Sequence, residues 1–122
     1  DVTGFGLMGH LLEMAQGSGC TLHIQMDKVP YHPEALELAS MGLIPAGAYR
    51  NREYAQAGVS IQGDVSLAME DILYDPQTSG GLLFAIPEAE AEACLAQLKK
   101  TIPNAAIIGY VTEKEDFDII LE

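Results

Sequence analysis

From Phe5 to Gln16, apolar side chains recur with the period of a helix: Phe5, Met8, Leu12 and Ala15 share one stripe, with Leu7, Leu11 and Met14 beside it. The pattern predicts a helix with a wide buried face, ended at Gly17-Ser18-Gly19, where a glycine can take the left-handed conformation that closes a helix. Cys20 to Met26 then alternates as a half-buried strand does, with Cys20, Leu22, Ile24 and Met26 inward and Thr21, His23 and Gln25 outward. Pro33 opens a short helix ending at Gly42, because proline is tolerated in a first turn and Glu34 suits the positive end. Leu43 to Gly58 has no clear period and carries Pro45, Gly47 and the polar run Arg50-Asn51-Arg52-Glu53, so it is expected to be mostly loop.

Val59 to Ile61 is a short strand candidate, and Ser66 to Tyr74 a helix with Leu67, Met69, Ile72 and Leu73 as its apolar contacts. Leu82 to Ile86 is apolar at every position, which predicts a central strand covered on both faces. Pro87 opens a further helix with Glu88, Glu90 and Glu92 near its positive end and Lys99 and Lys100 near its negative end. Its inward stripe is Ala91, Cys94, Leu95 and Leu98. Ala106 to Val111 and Phe117 to Leu121 complete the chain as strands. Helices interleaved with about five strands predict a layered α/β (α+β) domain, a mixed sheet flanked by helices. A ferredoxin-like arrangement is the competing topology.

Length and composition narrow the picture. With 122 residues, 48% of them hydrophobic and 20% charged, residues 1–122 make a single domain that buries an ordinary core without staples. Acidic residues outnumber basic ones 18 to 6, for a formal charge of -12, which argues against nucleic acid and against an anionic membrane surface. Neither a membrane-spanning run nor a secretory signal is legible, so a cytoplasmic protein is expected. Cys20 and Cys94 lack zinc-site spacing and read as free, structural thiols. The methionines fall on packing stripes and are assigned to the core.

Two segments hold candidate chemistry. Asp1-Val2-Thr3-Gly4-Phe5-Gly6 sets a carboxylate and a hydroxyl just before a helix, with two glycines that permit close backbone approach. Such a start suits phosphate at the helix's unpaired N–H groups and Mg2+ at the carboxylate, though Asp1 or Thr3 as a plain helix cap is the alternative. Asp75-Pro76-Gln77-Thr78-Ser79-Gly80-Gly81 offers backbone amides and hydroxyls at a strand entrance, or turn chemistry alone. Gly80 or Gly81 is expected to hold a conformation closed to other residues. His10, His23 and His32 show no metal spacing and are assigned to surface or helix packing. Arg50 and Arg52 either reach phosphate oxygens or pair with neighbouring carboxylates; Asn51 has no assigned role.

Taken together, DVTGFGLMGHLLEM, MGLIPAGAYRNREY and DPQTSGGLLFAIP, in this order, resemble selenophosphate synthetase (selenide, water dikinase), over Asp1 to about Val111. The first motif alone also suits aminoimidazole ribonucleotide synthetase and hydrogenase maturation factors, which share a two-domain architecture; DPQTSGGLL with PAGAYRN favours the former. The resemblance implies the C-terminal domain of an aminoimidazole ribonucleotide synthetase-like enzyme, opening inside a motif because the N-terminal domain is absent. It implies formation of selenophosphate, AMP and orthophosphate from ATP, selenide and water, with Mg2+ bridging the phosphates. The catalytic cysteine or selenocysteine and the lysine are implied to lie in the N-terminal domain, through which the enzyme forms a homodimer. Asp1 maps onto a Mg2+ ligand, while Thr3, Gly4, Gly6, Thr78, Ser79, Gly80 and Gly81 are extrapolated to the ATP and phosphate vicinity. The isolated chain is expected to be inactive. A non-catalytic module of the same fold, binding a small anion or a protein, is the rival reading.

Overall fold

The computed structural model describes residues 1–122, and backbone hydrogen bonds close its helices at turns the sequence marks. Helix α1 (Gly6–Ser18) buries Met8, Leu11, Leu12 and Ala15, the predicted stripe, and ends at Gly19, whose φ of 64° allows its N–H to reach the Ala15 and Gln16 carbonyls. Strand β1 (Cys20–Ile24) follows directly. Helix α2 (Pro33–Ser40) starts on its proline, and Gly42 beyond it has φ 77°. Helix α3 (Ala46–Ala55) precedes strand β2 (Val59–Ile61). Helix α4 (Leu67–Leu73) is capped by Ser66, whose hydroxyl accepts from the Met69 N–H. Helix α5 (Glu88–Leu98) and strands β3 (Gly109–Glu113) and β4 (Ile119–Leu121) complete the chain.

The sheet is mixed, with strand order β2-β4-β1-β3. β4 runs parallel to both β1 and β2, in register Leu22↔Ile119 and Val59↔Ile119, whereas β3 is antiparallel to β1, with Leu22 opposite Val111. α1 packs on β1 and β4 and against α3 and α4, and α2 packs on α4. The core joins Met8, Leu11, Leu12 and Ala15 of α1 to Leu22, Ile24, Ile119 and Leu121 of the sheet and to Leu73 and Tyr74. The predicted α/β class therefore holds, with four strands.

Several expectations change. Leu43 to Gly58 is not mainly loop: α3 buries Ala48, Asn51 and Ala55, a stripe of small and polar residues that leaves no hydrophobic period to read. Leu82 to Ile86 is not an interior strand. Both flanks of β1 are taken by β3 and β4, and the segment's start is anchored beside the first loop, since Gly80 N–H donates to the Val2 carbonyl and Val2 N–H to the Gly81 carbonyl. Only Leu83 packs on the core, while Leu82, Phe84 and Ile86 are exposed. α5 presents the predicted side, Ala91, Cys94, Leu95 and Leu98, as its half-buried face, but buries none of them fully. Met41 and Phe5, assigned to packing stripes, are exposed.

β1 is also covered on the face expected to meet solvent. The Thr21 hydroxyl donates to the Phe117 carbonyl at 2.7 Å and accepts from the Glu115 N–H at 2.8 Å. His23 is buried, stacked on Tyr110 with ring centroids 4.6 Å apart, and its two nitrogens meet Glu122 and Glu115 at 2.5 Å each. Burial disfavours the imidazolium, but hydrogen bonds and charge from Glu115 and Glu122 outweigh it and raise the His23 pKa above its ordinary 6.5. The same contacts, hydrogen bonds to His23 foremost, lower those of Glu115 and Glu122 below 4.5. The histidine contribution is complete below pH 6.5 and lost as pH rises through the raised value; the carboxylate contribution is complete above 4.5 and lost as pH falls through the lowered values. Melting temperature is thus expected to decline from about pH 6 to about pH 8 in the wild type and to decline less in His23→Gln. Equal slopes for the two proteins would exclude the cluster as the cause.

Candidate functional site

The three motifs meet at one place, and α3 is what joins them. Asn51, buried on that helix, donates through Nδ2 to the Gly4 carbonyl and to the Tyr74 carbonyl, at 2.9 Å each. It thereby ties the loop before α1 to the turn after α4. Gly6, with φ 70°, lets the first loop lie flat on that turn: a Cβ there would come within 2.9 Å of the Tyr74 and Asp75 backbone. Gly47 does the same for α3, where a Cβ would stand 2.9 Å from Pro76 Cγ. Backbone hydrogen bonds complete the junction, from Gln77 N–H to the Thr3 carbonyl at 3.0 Å and through the reciprocal pair at Val2.

Gly80 and Gly81 do not use left-handed backbone, contrary to expectation; the chain's positive-φ glycines are Gly6, Gly19, Gly42 and Gly63. The constraint at Gly80 is close approach, because a Cβ would run into the Val2 carbonyl, whereas Gly81 faces open space. Gly80→Val is therefore expected to destabilise by roughly 1 to 3 kcal/mol, as overpacking does, and Gly81→Val by less than about 0.5 kcal/mol. Urea unfolding of the two variants side by side checks the order, and a larger loss at Gly81 would contradict it.

Two cavities open on the junction. One, of about 310 Å³, is lined by Asp1, His10, Glu13, Met14 and Leu83. The other, of about 690 Å³, is lined by Gly4, Phe5, Glu13, Gly47, Arg50, Asn51, Tyr54 and Pro76, so Glu13 borders both. The Phe5 and Tyr54 rings stack 6.0 Å apart at the second. Asp1 and Thr3 are exposed at the first loop, and Thr78 and Ser79 are exposed on the turn. The Thr3 hydroxyl and His10 Nε2 are 3.0 Å apart, and His10 Nδ1 lies 3.0 Å from Glu13 Oε2. Of the sequence candidates, the fold gathers Asp1, Thr3, Gly4, Gly6, Gly80 and Gly81 into one junction.

The two arginines divide. Arg52 donates through Nη2 to Asp71 at 2.5 Å, approaches Glu70 at 3.5 Å and lies 5.2 Å over the Tyr74 ring, so it serves the α3–α4 packing. Arg50 remains on the cavity wall. Burial pushes the Asp75 carboxyl above the usual aspartate value. Burial, and then the Glu70 charge, push the Tyr74 phenol up to about 12 against the pull of Arg52, which keeps Tyr74 neutral. Asn51, His10 and Glu13 are residues that sequence reasoning did not assign to the site; the i, i+3 spacing of His10 and Glu13 on one helix was the available signal.

All of residues 1–122 match the family described as AIR synthase related protein, C-terminal domain. The chain is 50% identical over 123 residues to a selenide, water dikinase of Pelobacter propionicus and 50% identical over 122 residues to selenide, water dikinase 2 of Peptoclostridium acidaminophilum, covering 35% of each relative. A selenide, water dikinase of Clostridioides difficile is 47% identical over 115 residues, 93% of this chain and 33% of the relative. The chain thus spans about a third of the length of the curated relatives it matches. It belongs to the AIR synthase related protein C-terminal domain family, and the three relatives named above are selenide, water dikinases.

Proposed function

We propose that the chain is the C-terminal domain of a selenide, water dikinase and supplies one wall of its Mg-ATP site. The observation that carries this reading is the joining of the three motifs through Asn51, which places Asp1 and the first loop beside two cavities. The reaction would yield selenophosphate, AMP and orthophosphate from ATP, selenide and water. Phosphoryl transfer depends mainly on positioning and charge neutralisation, and this chain would contribute a carboxylate and a shaped backbone rather than a nucleophile. Catalytic cysteine or selenocysteine, lysine and the homodimer contacts would belong to the rest of a cytoplasmic protein; the chain has no helix long and apolar enough to cross a membrane.

The residues fit Mg2+ as a shared ligand. Asp1 and Glu13 bring hard carboxylate oxygens to one cavity. That is the pattern of an ion that keeps waters and takes one or two carboxylates together with substrate phosphates. Asp1 would hold it, and when bound it would neutralise charge on the phosphate oxygens. Arg50, on the neighbouring wall, would add a fixed positive charge.

Product analysis of the full-length protein tests the reading. Selenide-dependent release of AMP with a selenophosphate phosphorus resonance is expected, and none from residues 1–122 alone. ATP turnover that ignores selenide would overturn it.

A further inference from the structure

Helix α3 turns the stripe Gly47, Arg50, Asn51 and Tyr54, spaced i, i+3, i+4 and i+7, toward the cavity of about 690 Å³. Its other positions are taken: Ala48 and Ala55 pack in the core, and Arg52 is paired with Asp71 and Glu70. Arg50 is the one cation lining the cavity. It has neither a hydrogen-bond partner nor a carboxylate at ion-pair distance, in a chain with 18 acidic residues and 6 basic ones. Its Nη2 lies 3.8 Å from where a Cβ on Gly47 would stand, so the guanidinium folds back along α3 over the glycine, where Pro76 also approaches. Asn51 commits both Nδ2 hydrogens to the Gly4 and Tyr74 carbonyls. Its Oδ1 has no partner and is not enclosed, since Arg52 Nε is the enclosed side-chain atom that lacks one, so Oδ1 opens on the cavity that Asn51 lines. The half-exposed Phe5 and Tyr54 rings, stacked 6.0 Å apart, complete the wall with polarisable surface.

We propose that Arg50, with Asn51 Oδ1 and the Phe5 and Tyr54 rings, forms the subsite that holds the hydrogenselenide anion, next to the cavity that carries Asp1. This rests on the reading of the chain as part of a selenide, water dikinase and names the residue that selects its second substrate. Selenide is a monoanion near neutral pH, weakly hydrated, polarisable and still carrying one hydrogen. The guanidinium meets its charge, the amide oxygen faces the Se–H, and the rings suit a heavy chalcogen as they suit sulfur. Orthophosphate matches the same wall less well, because its strongly hydrated acceptor oxygens and up to two negative charges would meet one cation, an amide acceptor and two rings. Holding the nucleophile beside the phosphates raises its effective concentration there.

The test uses the full-length protein with Arg50→Met, Arg50→Lys and Tyr54→Leu. Both positions are exposed, so the melting temperature should barely move. Arg50→Met is expected to raise KM for selenide about tenfold, as loss of a charge-assisted hydrogen bond does, and Tyr54→Leu about threefold. KM for ATP and the Mg2+ dependence should stay within about twofold, and Arg50→Lys, which keeps the charge, should recover most of the selenide affinity. An unchanged KM for selenide in Arg50→Met, or a KM for ATP that rises with it, would overturn the proposal. So would weaker product inhibition by orthophosphate with the selenide KM intact, which would assign the cavity to phosphate. Equilibrium dialysis of radiolabelled hydrogenselenide, without oxygen or nucleotide, supplies a readout without turnover: Arg50→Met should bind about tenfold more weakly than the wild type, and equal binding would overturn the proposal. Should the wild type lack selenide-dependent turnover, it is the function proposed above that fails, and the dialysis alone decides the subsite.

Discussion

Asp1→Asn in the full-length protein is expected to lower selenophosphate formation by at least roughly 100-fold, the order of loss seen when one charge-stabilising group is removed from a reacting centre. Asparagine keeps the size of the side chain but lacks the negative charge that a hard cation requires, and contrary to the alternative of a helix cap neither Asp1 nor Thr3 caps α1, whose N-cap is Phe5 without a side-chain hydrogen bond. Asp1 is exposed, so the melting temperature should barely move. Any remaining turnover should need more Mg2+. Catalysis and stability therefore separate in this variant, and a mutant with wild-type rate and unshifted Mg2+ dependence would exclude Asp1 as a ligand of the ion. Melting curves and Mg2+ titrations on the same preparation supply both halves of the comparison.

Asn51→Leu should do the reverse. Leucine nearly preserves the volume but removes Nδ2, leaving the Gly4 and Tyr74 carbonyls without their 2.9 Å donors at a junction where Asn51 is buried. Each orphaned acceptor costs about 1 to 3 kcal/mol, so the variant should lose roughly 2 to 4 kcal/mol of unfolding free energy. In a domain of this size that is a fall in melting temperature on the order of 10 °C. Asn51→Asp should be at least as damaging, since it sets a carboxylate oxygen against the same two carbonyls. A fall of less than about 2 °C in both variants would mean that the junction does not depend on Asn51.

How far the sequence disclosed this site follows from what each signal reports. α1, α2, α4 and α5 were legible because their ends carry glycine, proline or serine and their apolar residues recur at helical spacing. α3 was not, because Ala48, Asn51 and Ala55 bury little apolar area and hydrophobic periodicity is blind to a stripe of that kind. Ala46, Ala48, Arg50, Arg52, Glu53 and Ala55 after Pro45 were the weaker clue, diluted by Gly47 and Asn51. Leu82 to Ile86 misled in the other direction, since apolarity was read as burial while the segment's path is set by its backbone bonds to Val2. His23 was assigned outward by alternation and is buried, because Glu115 and Glu122 arrive from distant positions to cover it. The motifs holding Asp1, Thr3, Gly4, Gly6, Gly80 and Gly81 were readable one at a time. Their meeting was not, since it depends on one amide side chain and a few backbone hydrogen bonds between remote segments.

If the chain forms one wall of a Mg-ATP site as proposed, the first loop and the turn after α4 together face bound nucleotide and metal. Hydrogen–deuterium exchange of the full-length protein, with and without Mg2+ and ADP, tests it most directly. Slowed exchange is expected in segments 2–6 and 77–81 when both are present and in neither when Mg2+ is withheld, with β1 and β3 around His23 unchanged. Protection confined to other segments, or none at 2–6 and 77–81, would contradict it.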